Sequence, residues 1–364
     1  MGLCASNENP QSAEERKRNE RVTEALREHQ KKVDDEDAKK MLLLGAGQSG
    51  KSTLFKQTQA LYGKKLKREE MESYVPIIIG NTISSMQTLI EKSEEFAKEE
   101  KDGEKFMHKC QEEAKLVVDS DRETLDAKMG EAIAALWSDA GIQATFQEKH
   151  KYQLIDSAKY YFDNVKKISQ EGWFPDMEDV LRSRARTTGI VTTEFVVQEH
   201  NFKLFDVGGQ KSERKKWVPF FEGVDCVLFV AAISGYNKTL FEDGVTNRMQ
   251  DAMNLFQKTV KEKMLQRSSL VLFLNKRDLF AEEIKRFPIT IAPPLAHYTG
   301  DGSYEDCCKF ITQEFEKIVP QTRPVTIHIT CATDADNVKV VIDSVREHVL
   351  NESLAAAGLT STLL

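Results

Sequence analysis

The residues best suited to chemistry begin in a glycine-rich loop near position 45. An apolar run at 41–44 is followed at once by GAGQSGKS at 45–52, which fits the pattern G-x-x-x-x-G-K-[ST]. Glycines let the backbone turn its N–H groups onto phosphate oxygens, and the following helix adds its positive N-terminal end. Lys51 would reach the β- and γ-phosphates, and the hydroxyl of Ser52 would ligate Mg²⁺. The loop predicts a nucleotide site without choosing between ATP and GTP.

A second motif favours guanine as the base. An apolar run at 270–274 ends in Asn-Lys-Arg-Asp at 275–278. The carboxylate of Asp278 can accept from N1–H and from the 2-amino group of guanine, and adenine offers neither donor. Because a buried group left unpaired is costly, such a site rejects the wrong base strongly. The Lys276 stem can lie along the base, and Asn275 can tie the neighbouring loops together.

An alternating strand, FKLFDVGGQ at 202–210, lies between these two motifs. It would deliver the carboxylate of Asp206 to Mg²⁺, a hard cation that prefers oxygen ligands. Gly209 can bring its backbone N–H against a γ-phosphate, and Gln210 can orient an attacking water. Downstream of a phosphate loop, this pattern is typical of a nucleotide-sensing switch.

Together these motifs resemble the α subunit of heterotrimeric G proteins over essentially the whole chain. The segments that carry the resemblance are GAGQSGKST at 45–53, RARTTGIVTTEF at 184–195, DVGGQKSERKKW at 206–217, NKRD at 275–278 and TCATD at 330–334. The interval from Ser52 to Thr187 is 135 residues, far more than a crossover connection needs. Helical periodicity fills it, at Ile79, Ile83, Met86 and Ile90 and again at Leu154, Ala158, Tyr161, Val165 and Ile168.

The resemblance implies an α/β fold, a P-loop GTPase domain with a mostly parallel sheet flanked by helices and an inserted all-α helical domain. Residues 1–40 would form an N-terminal helix that binds the membrane and a βγ dimer. The discontinuous GTPase domain would comprise 41–64 and 183–364, and the helical domain 65–182.

The resemblance also assigns roles within the site. Arg184 would be a built-in arginine finger, Gln210 would position water, and Thr187 would join Ser52 and Asp206 around Mg²⁺. The backbone N–H of Ala332 would meet guanine O6. The residues that the resemblance places around GTP or GDP are Gly45, Gly47, Gln48, Ser49, Gly50, Lys51, Ser52, Thr53, Asp156, Ser157, Leu181, Arg182, Gly209, Asn275, Lys276, Asp278, Cys331, Ala332 and Thr333.

Three departures from the family pattern carry expectations. Gln48 stands where the family usually has Glu, which predicts a weaker clasp with Arg184 and faster GDP release. Arg214 is expected to pair with Asp251, another position where Glu is usual. At the C-terminus, five residues follow Gly358-Leu359, so the receptor-binding tail is atypical.

The resemblance implies several partners. Lys216 and Trp217 would contact the βγ dimer. An exposed Trp217 beside lysines is expected to anchor that interface, and the alternative is a Trp217 buried in the core. A G protein-coupled receptor, an RGS-type GTPase activator and an unknown effector complete the set.

The N-terminus and the composition bear on location. Residues 1–6, MGLCAS, fit the N-myristoylation pattern, so lipids are expected on Gly2 and, as palmitate, on Cys4. No apolar run approaches the roughly 18 residues needed to span a bilayer, and no C-x-x-C pair occurs. The net charge of −7 disfavours nucleic acid as a partner. The expected location is the cytoplasmic face of the plasma membrane, with a cytoplasmic pool.

Two other functions compete with this reading. A GTP-dependent scaffold with negligible hydrolysis would need neither Arg184 nor Gln210, so the presence of both disfavours it. A P-loop ATPase or kinase is disfavoured by the Asn-Lys-x-Asp motif at 275–278.

Overall fold

A computed structural model describes residues 38–356; the expectations for Gly2, Cys4, the N-terminal helix and the C-terminal extension lie outside these residues. Within them, six strands form one sheet in the order β2-β3-β1-β4-β5-β6, and only the β2–β3 pair is antiparallel. The strands are β1 Lys39–Leu44, β2 Ile190–Val197, β3 His200–Val207, β4 Cys226–Ala232, β5 Ser269–Asn275 and β6 Thr326–Thr330.

Thirteen α-helices accompany the sheet within the same residues. They are α1 Lys51–Tyr62, α2 Arg68–Glu72, α3 Val75–Glu99, α4 Gln111–Val118, α5 Ala127–Ser138, α6 Ala140–Gln147, α7 Ala158–Asp163, α8 Val165–Ile168, α9 Met177–Arg182, α10 Arg248–Lys261, α11 Arg277–Glu283, α12 Tyr304–Glu316 and α13 Ala335–Ala356.

Helices cover both faces of the sheet, which explains the continuous apolar runs in its central strands. Strands β4 and β5 read CVLFVAA and SLVLFLN, and nearly every side chain in them is buried. One hydrophobic cluster joins the sheet to α10 and α12, for example through Phe229, Phe256 and Phe315. Another joins the opposite face to α1 and α13, through Phe273 and Val341 among others.

Residues 68–182 are helical throughout their regular elements and carry a core of their own. Its buried residues all lie between 78 and 168. The predicted face of α3 is buried except that Ile78, rather than Ile79, is fully enclosed. The predicted second periodic run is buried as well, but Leu154 precedes the first helix and the other four residues fall on two short helices, α7 and α8, that meet at Asn164. The α/β fold with an all-α insert is confirmed, whereas the domain boundaries stay a prediction.

The sheet topology brings the sequence motifs together. Strand β1 lies between β3 and β4, so the order reverses there, and ligands of parallel sheets bind at such a point beyond the carboxyl ends of the strands. The loops that follow β1, β3, β5 and β6 all emerge at this edge.

Candidate functional site

A cavity of about 230 Å³ lies at this edge of the sheet. The predicted nucleotide residues line it with one exception, Gly45, whose carbonyl oxygen accepts a hydrogen bond from Lys51 Nζ. Arg184, Thr187 and Gln210 line it too. The fold therefore brings the sequence-predicted groups into one cleft between the sheet and the helical insert.

The glycine-rich loop takes a shape that ordinary residues resist, and the guanine motif holds it there. Gly50 has φ +99°, and a Cβ at this position would lie 2.2 Å from Asn275 Nδ2. That amide donates to Ser49 O (2.9 Å), while Lys276 Nζ donates to Gln48 O (2.6 Å). The close approach of the Asn275 amide thus requires glycine at position 50.

Lys51 lies at the floor of the cavity. Its Nζ donates to Gly45 O (3.0 Å) and Ala46 O (2.9 Å). Burial lowers the pKa of Lys51 to about 8, although the charge of Asp206 acts in the opposite direction. A phosphate would supply the anionic partner that this buried ammonium lacks.

Oxygen atoms of three predicted metal ligands meet beside the loop. Ser52 Oγ donates to Asp206 Oδ2 (2.7 Å) and lies 2.8 Å from Thr187 Oγ1. The other carboxylate oxygen, Asp206 Oδ1, is buried without a hydrogen-bond partner among the described residues. Burial raises the pKa of Asp206, and the charge of Lys51 opposes that shift. Two hydroxyls and a carboxylate with an unused oxygen fit Mg²⁺, which takes oxygen ligands and keeps waters for the rest.

At the base end, Asn275 ties two loops together as the sequence predicts. Besides holding Ser49, its side chain accepts from Ala332 N (3.0 Å) and from Thr330 Oγ1 (3.4 Å). The Ala332 N–H, which the resemblance assigns to guanine O6, is therefore already engaged, and a guanine would share it. Asp278 lines the cavity at the same end.

The helical insert holds the backbone of Arg184. Asn81 in α3 accepts from Arg184 N (2.7 Å) and donates to Arg184 O (3.1 Å). The guanidinium lies over the ring of Phe241, 5.3 Å from its centroid. The Gln48 side-chain amide nitrogen is buried without a partner among the described residues. No clasp between Gln48 and Arg184 occurs among them.

A partly buried carboxylate links the insert to the sheet domain. Asp156 accepts from Lys238 Nζ (2.9 Å) and Lys276 Nζ (2.6 Å). Burial raises its pKa, but the charges of both lysines outweigh burial and hold the pKa of Asp156 well below its usual range. Nearby, Arg248 donates to Gln153 (2.8 Å). The sequence motifs do not include Asn81, Lys238 or Arg248, because their roles arise only from contacts across the domains.

The predicted pairing of Arg214 with Asp251 is confirmed. Two parallel hydrogen bonds of 3.0 and 2.5 Å join the guanidinium to the carboxylate. Arg214 Nε also donates to Gly209 O (3.1 Å). This pair fixes the segment after β3 against α10.

The expectation of an exposed Trp217 is wrong. Two 3₁₀ turns, Arg214–Lys216 and Val218–Phe220, direct its ring inward, where it is 4% exposed. The indole N–H donates to Gly208 O (2.9 Å), so the ring supports the switch from within. Lys216 remains exposed and pairs with Glu213.

The phosphate loop, the oxygen cluster and the guanine motif define a P-loop nucleotide-binding protein. A family model described as G-protein alpha subunit matches residues 16–349. A guanine nucleotide-binding protein subunit alpha of Emericella nidulans is 39% identical over 360 residues, covering 99% of this chain and 100% of the relative. The guanine nucleotide-binding protein alpha-17 subunit of Caenorhabditis elegans is 38% identical over 367 residues, with 99% and 100% covered. The chain belongs to the G-protein alpha subunit family.

Proposed function

We propose that this chain is a Mg²⁺-dependent GTPase that cycles between a GTP-bound and a GDP-bound state. The observation that carries the proposal is the position of Ser52 Oγ between Asp206 and Thr187, in a cavity that Arg184 and Gln210 also line. A protein that only bound nucleotide would need the first three residues but neither of the last two.

The chain's own residues account for the reaction. Gln210 would orient a water in line with the γ-phosphorus, and a new P–O bond forms while the bond to the β–γ bridging oxygen breaks. The products are GDP and inorganic phosphate. Arg184 and Lys51 would neutralise charge that moves toward the bridging oxygen. Ser52, Thr187 and Asp206 would hold Mg²⁺, which would supply Lewis-acid stabilisation of negative charge on the phosphates.

The wider role follows from family membership and is part of the proposal. The chain would join a βγ dimer, respond to a receptor and an RGS-type activator, and act on an effector, anchored by lipids on Gly2 and Cys4 at the cytoplasmic membrane face. Exposed Lys216 supports a βγ contact. Among the described helices, none has the length and apolar character to cross a bilayer.

Single-turnover hydrolysis tests the proposal. The purified chain is loaded with GTP without Mg²⁺, and phosphate release is followed after Mg²⁺ is added. We expect a burst that Arg184→Cys and Gln210→Leu abolish although both variants still bind GTP. Lys166→Ala, at a surface position in α8, serves as the matched control. Tight binding with no burst in the unaltered chain would instead indicate the GTP-dependent scaffold.

A further inference from the structure

Phe241 is an aromatic side chain in an unusual position. It is 56% exposed, although phenylalanine is normally buried. It lies in the loop 236–247 between β4 and α10, which we call the Phe241 loop. The guanidinium of Arg184 lies over this ring, with its central carbon 5.3 Å from the ring centroid.

The Phe241 loop is held by its own hydrogen bonds. Leu240 N donates to Thr246 O (2.8 Å), and Thr239 pairs with Asn247 in an antiparallel bridge. Asp243 accepts from two backbone N–H groups of the loop and from Lys211 Nζ (2.7 Å). The ring is therefore presented by a fixed loop rather than by a free one.

The guanidinium of Arg184 has no other partner within residues 38–356. Its backbone is fixed by Asn81, but none of its side-chain N–H groups makes a hydrogen bond or ion pair there. Burial and the neighbouring charge of Arg248 lower the pKa of Arg184, and the charges of Asp156 and Glu242 oppose that shift only in part. Attraction to the face of the Phe241 ring is the direct contact that orients it.

An aromatic partner suits an arginine that must act on phosphate. The five N–H donors of a guanidinium point outward in its plane, and a ring against its face uses none of them. A carboxylate in the same place would bind the very donors that the γ-phosphate needs.

We propose that Phe241 is a positioning residue for hydrolysis, which holds the Arg184 guanidinium at the mouth of the cavity with its N–H donors free for γ-phosphate oxygens. The inference rests on the proposed GTPase activity. Orienting the side chain beforehand lowers the entropic cost of reaching the transition state.

Single-turnover hydrolysis of preloaded GTP tests this role. We expect Phe241→Leu and Phe241→Met to slow the burst about fivefold to tenfold, the range that a partly exposed cation–π contact predicts. Phe241→Tyr, which keeps the aromatic ring, should hydrolyse GTP at the rate of the unaltered chain. GDP release should be unchanged in all three variants. Val245→Ala, in the same loop and 82% exposed, is the matched control and should match the unaltered chain.

Ring fluorination separates an electronic role from a packing role. Successive fluorine atoms on Phe241 draw charge from the ring face with little change of shape, so the burst should slow stepwise. In an Arg184→Cys background, Phe241→Leu should have no further effect on the residual rate. An unchanged or faster burst in Phe241→Leu, a flat fluorination series, or an equal effect without Arg184 would each overturn the proposal. The burst of the unaltered chain tests the GTPase activity separately.

Discussion

Two segments border the phosphate end of the cavity, residues 183–189 and residues 206–221, and they are held in opposite ways. In the second segment, the Arg214 guanidinium is bound by both carboxylate oxygens of Asp251, and the buried Trp217 donates to the backbone beside it. In the first, Asn81 fixes the backbone of Arg184, but within the described residues the guanidinium makes no hydrogen bond or ion pair and lies over the ring of Phe241.

The difference in their partners suits Arg214 and Arg184 to different roles. An ion pair with matched hydrogen bonds consumes the donors of a guanidinium and suits a side chain that holds a segment in place. A side chain that meets a transient charge must keep its donors available. The same residue type therefore serves as a structural clamp on one side of the cavity and, under the proposed function, would serve as a catalytic group on the other.

The largest effect should come from removing the unpaired arginine. Arginine fingers of GTPases, including those of this family, contribute about 10³- to 10⁵-fold, so Arg184→Cys should slow single-turnover hydrolysis by at least about 10²-fold. Hydrogen exchange in 206–221 should not change, because no contact of that segment is lost. A variant that hydrolyses at the normal rate would end the assignment of Arg184 as catalytic.

Removing Asp251, the carboxylate that pairs with Arg214, should instead loosen the segment that this arginine holds. Asp251→Ala leaves two N–H groups of a largely buried guanidinium without an acceptor, at a cost of about 2 kcal/mol, so amides of 208–221 should exchange about 30-fold faster. Glu100→Ala breaks an exposed ion pair with Lys151 and is the control, expected to leave the exchange of these amides unchanged. Equal effects in the two variants would show that burial adds nothing to the Arg214 pair.

The floor of the cavity should respond to pH. In the nucleotide-free chain the pKa of Lys51 is about 8, below its usual 10.5, and a bound phosphate would raise it again. Nucleotide affinity should therefore fall by about fourfold between pH 7 and pH 8.5 as the free ammonium loses its proton. The free energy of unfolding of the nucleotide-free chain should change in the opposite direction and rise above pH 8. In that range the unfolded chain, whose Lys51 has the usual pKa of 10.5, binds more protons than the folded chain. Equilibrium titration of GDP measures the first, and Lys51→Arg, which keeps its charge, should show a flat profile.

The smallest effect concerns the pairing of residue 48 with Arg184 across the cavity. Gln48→Glu would place a carboxylate near the Arg184 segment and should slow GDP release about threefold, as a partly exposed ion pair would. The release of fluorescent GDP after dilution into excess unlabelled nucleotide measures the rate. Gln48→Met, which adds no charge, is the comparison, and equal rates in both variants would contradict the clasp.

The sequence predicts those site residues whose role is set by a single motif. It does not predict the residues whose role depends on how distant elements pack together. Residues 45–53, 206–210 and 275–278 meet in one cavity because parallel strands end at a common edge. The Arg214–Asp251 pair is also predicted, since the resemblance covers both partners. The burial of Trp217 is not, because two short turns decide which way the ring points. Phe241 and Lys238 belong to no motif, and the side chains they contact in the site, Arg184 and Asp156, are more than fifty positions away.

Lys276 belongs at once to the base site and to the junction of the domains, because its ammonium binds both Gln48 O and Asp156. If the helical insert moved away from the sheet domain, the Lys276 ammonium would lose its ion pair with Asp156, which lies beside its hydrogen bond to Gln48 O in the phosphate loop. Closure of the insert and affinity for the nucleotide are thus thermodynamically linked, and each must strengthen the other by the same factor. Anything that opens the interface at Asp156 would act as a negative effector of nucleotide binding without touching the nucleotide.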